Sequence, residues 1–190
     1  MIAGIVLAGG KGRRIGGKKP LRKFKNKYLI EYPITTLKEL NIPFVVVVRE
    51  DLNLNDIVKK YKLSLSFDLI NDLGPLMGIY CGMLSINAEW YLVLPCDSPL
   101  ISKKDVDILI SKIKEAKNNL CIIPKHKNGF IEPLFALYKR ESLIYLRKII
   151  LEKDNLSIRY FIKHLNPMYI NSELFDKKAF YNINTIEDLR

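Results

Sequence analysis

Ile2-Ala3-Gly4-Ile5-Val6-Leu7-Ala8 is an apolar run that ends in Gly9-Gly10-Lys11-Gly12-Arg13-Arg14-Ile15-Gly16-Gly17-Lys18-Lys19-Pro20-Leu21. A short apolar run closed by glycines reads as a strand buried on both faces, the kind found in parallel sheets. It has no basic segment ahead of it, so it reads as a strand and not as a signal peptide. Two glycines placed directly after a strand let backbone N–H groups come close to a phosphate, and further glycines keep the loop wrapped around it. From position 9 to position 19 there are five glycines and five cations, with Ile15 the one exception. A plain surface turn needs far fewer of either. Arg14 and Lys19 add charge-assisted hydrogen bonds to a polyanion that backbone amides alone would bind weakly.

Two better-known phosphate loops do not fit. The spacing from Gly12 to Lys18 matches Gly-x4-Gly-Lys, but Lys19 stands where a P-loop needs Ser or Thr to hold magnesium. A dinucleotide fingerprint beginning at Gly10 fails because Ile15 takes the third glycine position.

Outward from this loop the chain alternates strands and helices. Helical spacing covers 29–40, and 44–48 is a second β-rich apolar run. A short helix follows at 55–61, then a third strand near 65–69. Gly74-Pro75 opens a helix over 76–86, with Pro at a first-turn position where no hydrogen bond is lost. A strand over 90–95 leads into Cys96-Asp97. Ser102 with Asp105 forms a near capping box ahead of an amphipathic helix. Strands are expected at 120–124 and 130–138, helices at 143–151 and 158–165, and short closing strands at 168–170 and 181–183. This alternation predicts an α/β fold: one Rossmann-like, three-layer domain over residues 1–190, with a mostly parallel mixed sheet. The loops after positions 8, 69 and 95 leave the carboxyl ends of strands, where such sheets bind ligands.

Length and composition agree. The chain has 190 residues, 48% hydrophobic and 27% charged, which suits one folded domain and argues against disorder or a repeat array. No apolar run reaches the roughly 18 residues that span a bilayer. The net charge is +11, and nine of the cations fall between Lys11 and Lys27 with no acid before Glu31. That field favours polyanions. A nucleic-acid-binding module is the rival from another class, but no such motif occurs and aromatics do not interleave with the basic run. Three widely spaced cysteines and two histidines leave little for a His/Cys metal cluster, and a reduced cytoplasmic compartment fits best.

Asp97 ends the apolar strand 90–95 inside Pro95-Cys96-Asp97-Ser98-Pro99, so its carboxylate is expected in the crevice. Magnesium takes one or two carboxylates, with phosphate oxygens and water completing its shell. Cys96 reads as small packing beside it.

Taken together, Leu7-Ala8-Gly9-Gly10-x3-Arg14-x-Gly16-Gly17-x-Lys19, Gly74-Pro75-Leu76-x-Gly78, Cys96-Asp97-x-Pro99 and Asn182-x-Asn184-Thr185 resemble, in order, the motifs of the molybdenum cofactor guanylyltransferases, within the nucleotidyltransferases of similar fold. The resemblance spans residues 2–189. It implies transfer of GMP from Mg-GTP to the terminal phosphate of molybdopterin, with release of pyrophosphate. It also implies delivery proteins or molybdenum or tungsten enzymes as later partners, and no nucleic acid or membrane.

By the same resemblance Asp97 holds Mg²⁺, with Lys19 and Arg14 as the other catalytic groups. Leu7, Ala8, Gly9, Gly10, Gly12, Lys19, Asp97 and a base-contacting Asp, either Asp68 or Asp72, with spacing favouring Asp68, bind the nucleotide. Asn182 and Asn184 contact the acceptor. Glu132 in Ile131-Glu132-Pro133-Leu134 stands where the family places an acid or His before Pro, lining the acceptor pocket. Val48-Arg49 departs from members that carry Asn after the second strand, so cytidylyl transfer, or transfer to another acceptor, stays open beside guanylyl transfer.

Overall fold

The computed structural model describes residues 1–10, 12–49, 52–67, 74–153 and 155–189. Asp68 and Asp72, and the far end of the strand expected at 65–69, lie outside them. Seven strands form one sheet: β1 (Ile2–Leu7), β4 (Phe44–Val48), β5 (Leu65–Phe67), β6 (Trp90–Pro95), β7 (Cys121–Lys125), β8 (Ala136–Lys139) and β9 (Met168–Asn171). A hairpin of β2 (Lys23–Phe24) and β3 (Lys27–Tyr28) stands apart from it. The sheet order is β5-β4-β1-β6-β8-β7-β9, and β8 runs antiparallel to both neighbours while the other pairs are parallel.

Three helices cover each face. On one side α1 (Glu31–Glu39), α2 (Asn55–Tyr61) and α4 (Lys103–Ser111) set Ile34, Leu37, Ile57, Val106 and Leu109 against Val6, Val46 and Leu92. On the other, α3 (Pro75–Ser85), α5 (Ser142–Glu152) and α6 (Ile158–Lys163) pack Leu76, Ile79, Leu146 and Phe161 on Ile5, Val45 and Val93. Successive strand residues therefore feed opposite cores, and the strands read as continuous apolar runs because both faces are buried. The three-layer α/β fold expected from the sequence is the one observed. The capping box at Ser102 and Asp105 is complete, each side chain taking the other's backbone N–H.

Three local expectations need correction. The strand expected at 130–138 begins only at Ala136. Pro133 has no N–H to give to a ladder, and before β8 there is only a single bridge from Ile131 to Lys125. The expected strand at 181–183 pairs with no strand; it is extended, and Ile183 N–H donates to the carbonyl of Asp97 at 2.8 Å. The β2–β3 hairpin was not anticipated. Among the described residues no helix is long and apolar enough to cross a membrane.

Two features fix how the helices pack. At Gly82 on α3 a Cβ would lie 2.5 Å from Cγ2 of Ile5, so this helix packs on β1 at a distance that only glycine permits. At the start of α1 the buried carboxylate of Glu31 accepts from Lys60 Nζ (2.6 Å), Tyr61 Oη (2.9 Å) and Tyr28 N–H (2.8 Å), tying α1 to α2. Burial pushes this carboxyl's pKa up, but the hydrogen bonds from Lys60, Tyr28 and Tyr61 outweigh it and hold the group below its ordinary 4.5.

Gly82→Ala should overpack the α3–β1 contact and cost about 1–3 kcal/mol, read as a lower urea midpoint with unchanged slope. Because the folded-state value of Glu31 is depressed, its contribution is complete above pH 4.5 and is lost as pH falls through the lowered value. Denaturation at a series of pH values should show a steeper acid limb in the wild type than in Glu31→Gln.

Candidate active site

The sheet reverses its winding between β1 and β6: the chain goes outward from β1 to β4 and β5, then returns to the other side of β1. A crevice opens at the carboxyl ends of strands at such a switch point. Cys96 N–H bonds the carbonyl of Leu7 at 3.1 Å, and Ala8 N–H bonds that of Val47 at 2.8 Å, so the ends of β1, β4 and β6 lie level. The glycine loop and the Asp97 turn leave from this common edge.

The glycine loop is closed on itself. Ile15 and Gly17 N–H both donate to the carbonyl of Gly12, at 3.0 and 2.9 Å. Gly12 has a left-handed φ of 55°, and a Cβ there would stand 2.6 Å from Cβ of Lys19. Any side chain at 12 would displace the lysine. The Arg22 guanidinium donates to the carbonyls of Gly16 and Gly17, clamping the loop's far side. Ile15, 1% exposed, is driven into a small separate core with Phe24, Leu29 and Ile183. That core joins the loop, the hairpin and the C-terminal segment.

These supports deliver Lys19 into the crevice. Lys19 is 8% exposed, and its Nζ donates to Asp97 Oδ2 at 2.7 Å and to Asn184 Oδ1 at 3.0 Å. An ammonium can only donate, so Asn184 must turn its carbonyl to Lys19 and leave its NH₂ free for another group. The backbone N–H groups of Asn184 and Thr185 are taken by the carboxylate of Asp188, both at 2.8 Å, and Thr185 Oγ1 receives Asp188 N–H at 3.4 Å. The capping role at this turn thus falls to Thr185 and Asp188. The two backbone N–H groups hold the Asp188 carboxyl below its ordinary value.

Two adjoining cavities meet at this junction. The larger, about 520 Å³, has Leu7, Gly9, Gly10, Gly12 and Arg14 on the loop side and Val47, Arg49, Gly74, Pro75 and Gly78 opposite. The smaller, about 190 Å³, is bounded by Ser98, Glu132, Leu134, Phe180 and Asn182. Asp97 and Asn184 line both. Ser98 and Asn182 are joined by a hydrogen bond between Oγ and Oδ1.

The structure thus brings Leu7, Gly9, Gly10, Gly12, Arg14, Lys19 and Asp97 to one cleft, with Asn184 between the cavities and Asn182 on the smaller one. Ala8 is different. Its side chain is buried and its N–H is spent on Val47, so this residue helps set the strand ends level and offers no donor to a ligand. Asp68 and Asp72 lie outside the described residues. The sequence marks Arg49 only as a departure from the family's Asn, and the structure places it in the cleft; the sequence does not mark Ile15 as the loop's anchor.

Among the described residues no three acidic, His or Cys side chains gather as a metal cage. One carboxylate beside a loop of backbone amides is the donor set of a magnesium that takes its other ligands from phosphate and water. Asp97 therefore fits a nucleotide-borne Mg²⁺. Burial pushes the Cys96 thiol up to about 12, with the neighbouring Asp97 charge adding to the effect. It is a neutral packing group and no nucleophile.

A family model described as a MobA-like NTP transferase domain matches residues 4–168. A relative from Methanocaldococcus jannaschii, named a probable molybdenum cofactor guanylyltransferase, is 60% identical over 100% of this chain and 97% of its own length. A protein of the same name from Pyrococcus furiosus is 36% identical over 100% of this chain and 95% of its own. The crystal structure of molybdopterin-guanine dinucleotide biosynthesis protein A from Archaeoglobus fulgidus superposes with a TM-score of 0.83 at 29% identity, covering 100% of this chain and 95% of that one.

All three cysteines are buried. A thiol-disulfide reagent at pH 8 should therefore find no fast-reacting thiol in the folded protein and three after denaturation. A rapidly labelled Cys96 would contradict the burial described.

Proposed function

The chain belongs to the MobA-like NTP transferase family, and on that footing we propose that it transfers GMP from Mg-GTP to the terminal phosphate of molybdopterin, releasing pyrophosphate. The observation that carries this reading is the Lys19–Asp97–Asn184 junction on the wall between two cavities. A phosphoryl centre held there would be reached from one side by a nucleotide and from the other by an acceptor. The larger cavity suits the nucleotide, with its phosphates against the backbone of Gly9, Gly10 and Gly12. The smaller suits the acceptor's phosphate end, beside the NH₂ of Asn184.

The reaction is attack by an acceptor phosphate oxygen on the α-phosphorus. The attacking group is already an anion, so positioning and charge neutralisation count for more than a general base. Neither histidine lines the nucleotide cleft, and Cys96 is held protonated. Lys19 and Arg14 bring two positive charges to the triphosphate, and so to the α-phosphate transferred and the pyrophosphate released. Asp97 would hold Mg²⁺ through the oxygen that Lys19 does not occupy. Bound there, the ion would neutralise charge on the triphosphate and its leaving group. Asn184 would orient the acceptor oxygen, and Asn182, fixed by Ser98, would assist. The base falls on the Val47, Arg49 and Gly74 side of the larger cavity. The product then passes to delivery proteins or to molybdenum or tungsten enzymes.

Asp97→Asn keeps the shape of the junction and removes its charge. It should lower GMP transfer about 10²- to 10³-fold with an unchanged melting curve, as should Lys19→Met. Full activity in Asp97→Asn would remove the metal role. At about 100 times Kd, GTP with Mg²⁺ should stabilise the wild type by about 2.7 kcal/mol, a rise of roughly 5–10 °C in Tm, with CTP, ATP and UTP giving less. A larger shift with CTP would replace guanylyl by cytidylyl transfer.

A further inference from the structure

The smaller cavity is lined by groups of opposite hydrogen-bonding character. Asn184, which it shares with the nucleotide cleft, has its carbonyl taken by Lys19 and presents an NH₂ donor. Asn182 Oδ1 is engaged by Ser98. The two asparagines offer donors and suit a phosphate. The same cavity is also lined by Glu132, an acceptor. Its Oε1 is 2.8 Å from Nε2 of His126, and among the described residues its other carboxylate oxygen has no protein partner. Much of the remaining wall is apolar and partly aromatic, formed by Pro133, Leu134, Phe135 and Phe180.

Glu132 is also held in place. Its N–H donates to the carbonyl of Pro124 at 2.9 Å, and its own carbonyl accepts from Phe135 N–H at 3.2 Å. His126 is fixed by a tight turn in which its N–H donates to Phe130 and its carbonyl accepts from Gly129. Its ring meets the edge of Phe180, with centroids 4.7 Å apart. The imidazole is therefore wedged between a cavity-lining aromatic and a cavity-lining carboxylate.

We propose that Glu132 is a specificity-determining residue whose carboxylate takes the N–H-rich edge of a 2-amino-4-oxopteridine acceptor, and that His126 is the positioning residue that orients it. This rests on the reading given above, in which the acceptor is molybdopterin. The 2-amino group and N3–H of such a ring are adjacent donors. A carboxylate is the side chain that accepts from both, and a ring lacking the amino group would leave acceptor capacity unmet. The asparagine donors and the glutamate acceptor then orient the acceptor molecule, phosphate toward Asp97 and pteridine edge toward Glu132.

The test is steady-state GMP transfer by the full chain, varying molybdopterin and GTP separately. Glu132→Gln, which keeps the shape but replaces one acceptor oxygen by a donor, should raise the acceptor KM at least tenfold. The GTP KM should stay within twofold and kcat within about threefold. His126→Ala should raise the acceptor KM less, and His126→Gln, which can still donate to Glu132, should restore most of it. Quenching of 6-carboxypterin fluorescence gives a second readout, with binding in the wild type and at least tenfold weaker binding in Glu132→Gln. An unchanged acceptor KM in Glu132→Gln, or equal rises in both KM values, overturns the assignment while leaving the proposed reaction intact. Failure of the wild type to transfer GMP overturns the reading on which it rests.

Discussion

One ammonium holds this site together. Lys19 reaches Asp97 and Asn184, which lie 78 and 165 positions away in the chain, and neither contact is local. The pair is partly screened, with 10% of the Lys19 side chain and 28% of the Asp97 side chain exposed. Its importance lies in geometry more than in stability. Lys19 occupies one carboxylate oxygen and leaves the other open. It also forces the amide of Asn184 to point one way. A single cation thus fixes the orientation of the Asn184 amide and leaves one Asp97 oxygen open to the cavities.

The rest of the fold serves that placement. Parallel strands β1 and β6 end side by side, so the loops that follow them must leave from the same edge. Ile15 then draws the glycine loop down against Phe24, Leu29 and Ile183, while Arg22 ties its far side. Without an anchor a loop so rich in glycine would lose much conformational entropy on closing around a ligand. Here that ordering is built into the folded chain.

The frame was readable in the sequence where burial on both faces leaves an unbroken apolar signal. Residues 2–8, 44–48 and 90–95 are of this kind, and so is the capped helix after Ser102. The hairpin at 23–28 was not readable, because Lys23, Lys25 and Lys27 mask the one buried residue between them, Phe24. Residues 181–183 alternate as a strand does, yet their partner is the turn at Asp97, a tertiary fact with no local trace. Aromatic and branched residues at 130–138 promised a full strand until Pro133 removed a donor. In the site, the cleft positions of Gly9, Gly12, Lys19 and Asp97 were legible because strand ends predict them. The burial of Ile15 depends on a residue 168 positions away. The pairing of His126 with Glu132 depends on a turn whose closure the sequence does not announce.

The two cavities draw on different lengths of chain. The larger comes mainly from residues before 98, and the smaller largely from the turns at 126–135 and 175–184. They touch only where Asp97, Asn184 and a few neighbours stand. Substitutions in the later turns can therefore remodel the smaller chamber while the larger stays intact. Such a scaffold can exchange the molecule it modifies without relearning how to handle the donor, which makes the later third of the chain the natural place for evolutionary divergence among proteins sharing this architecture.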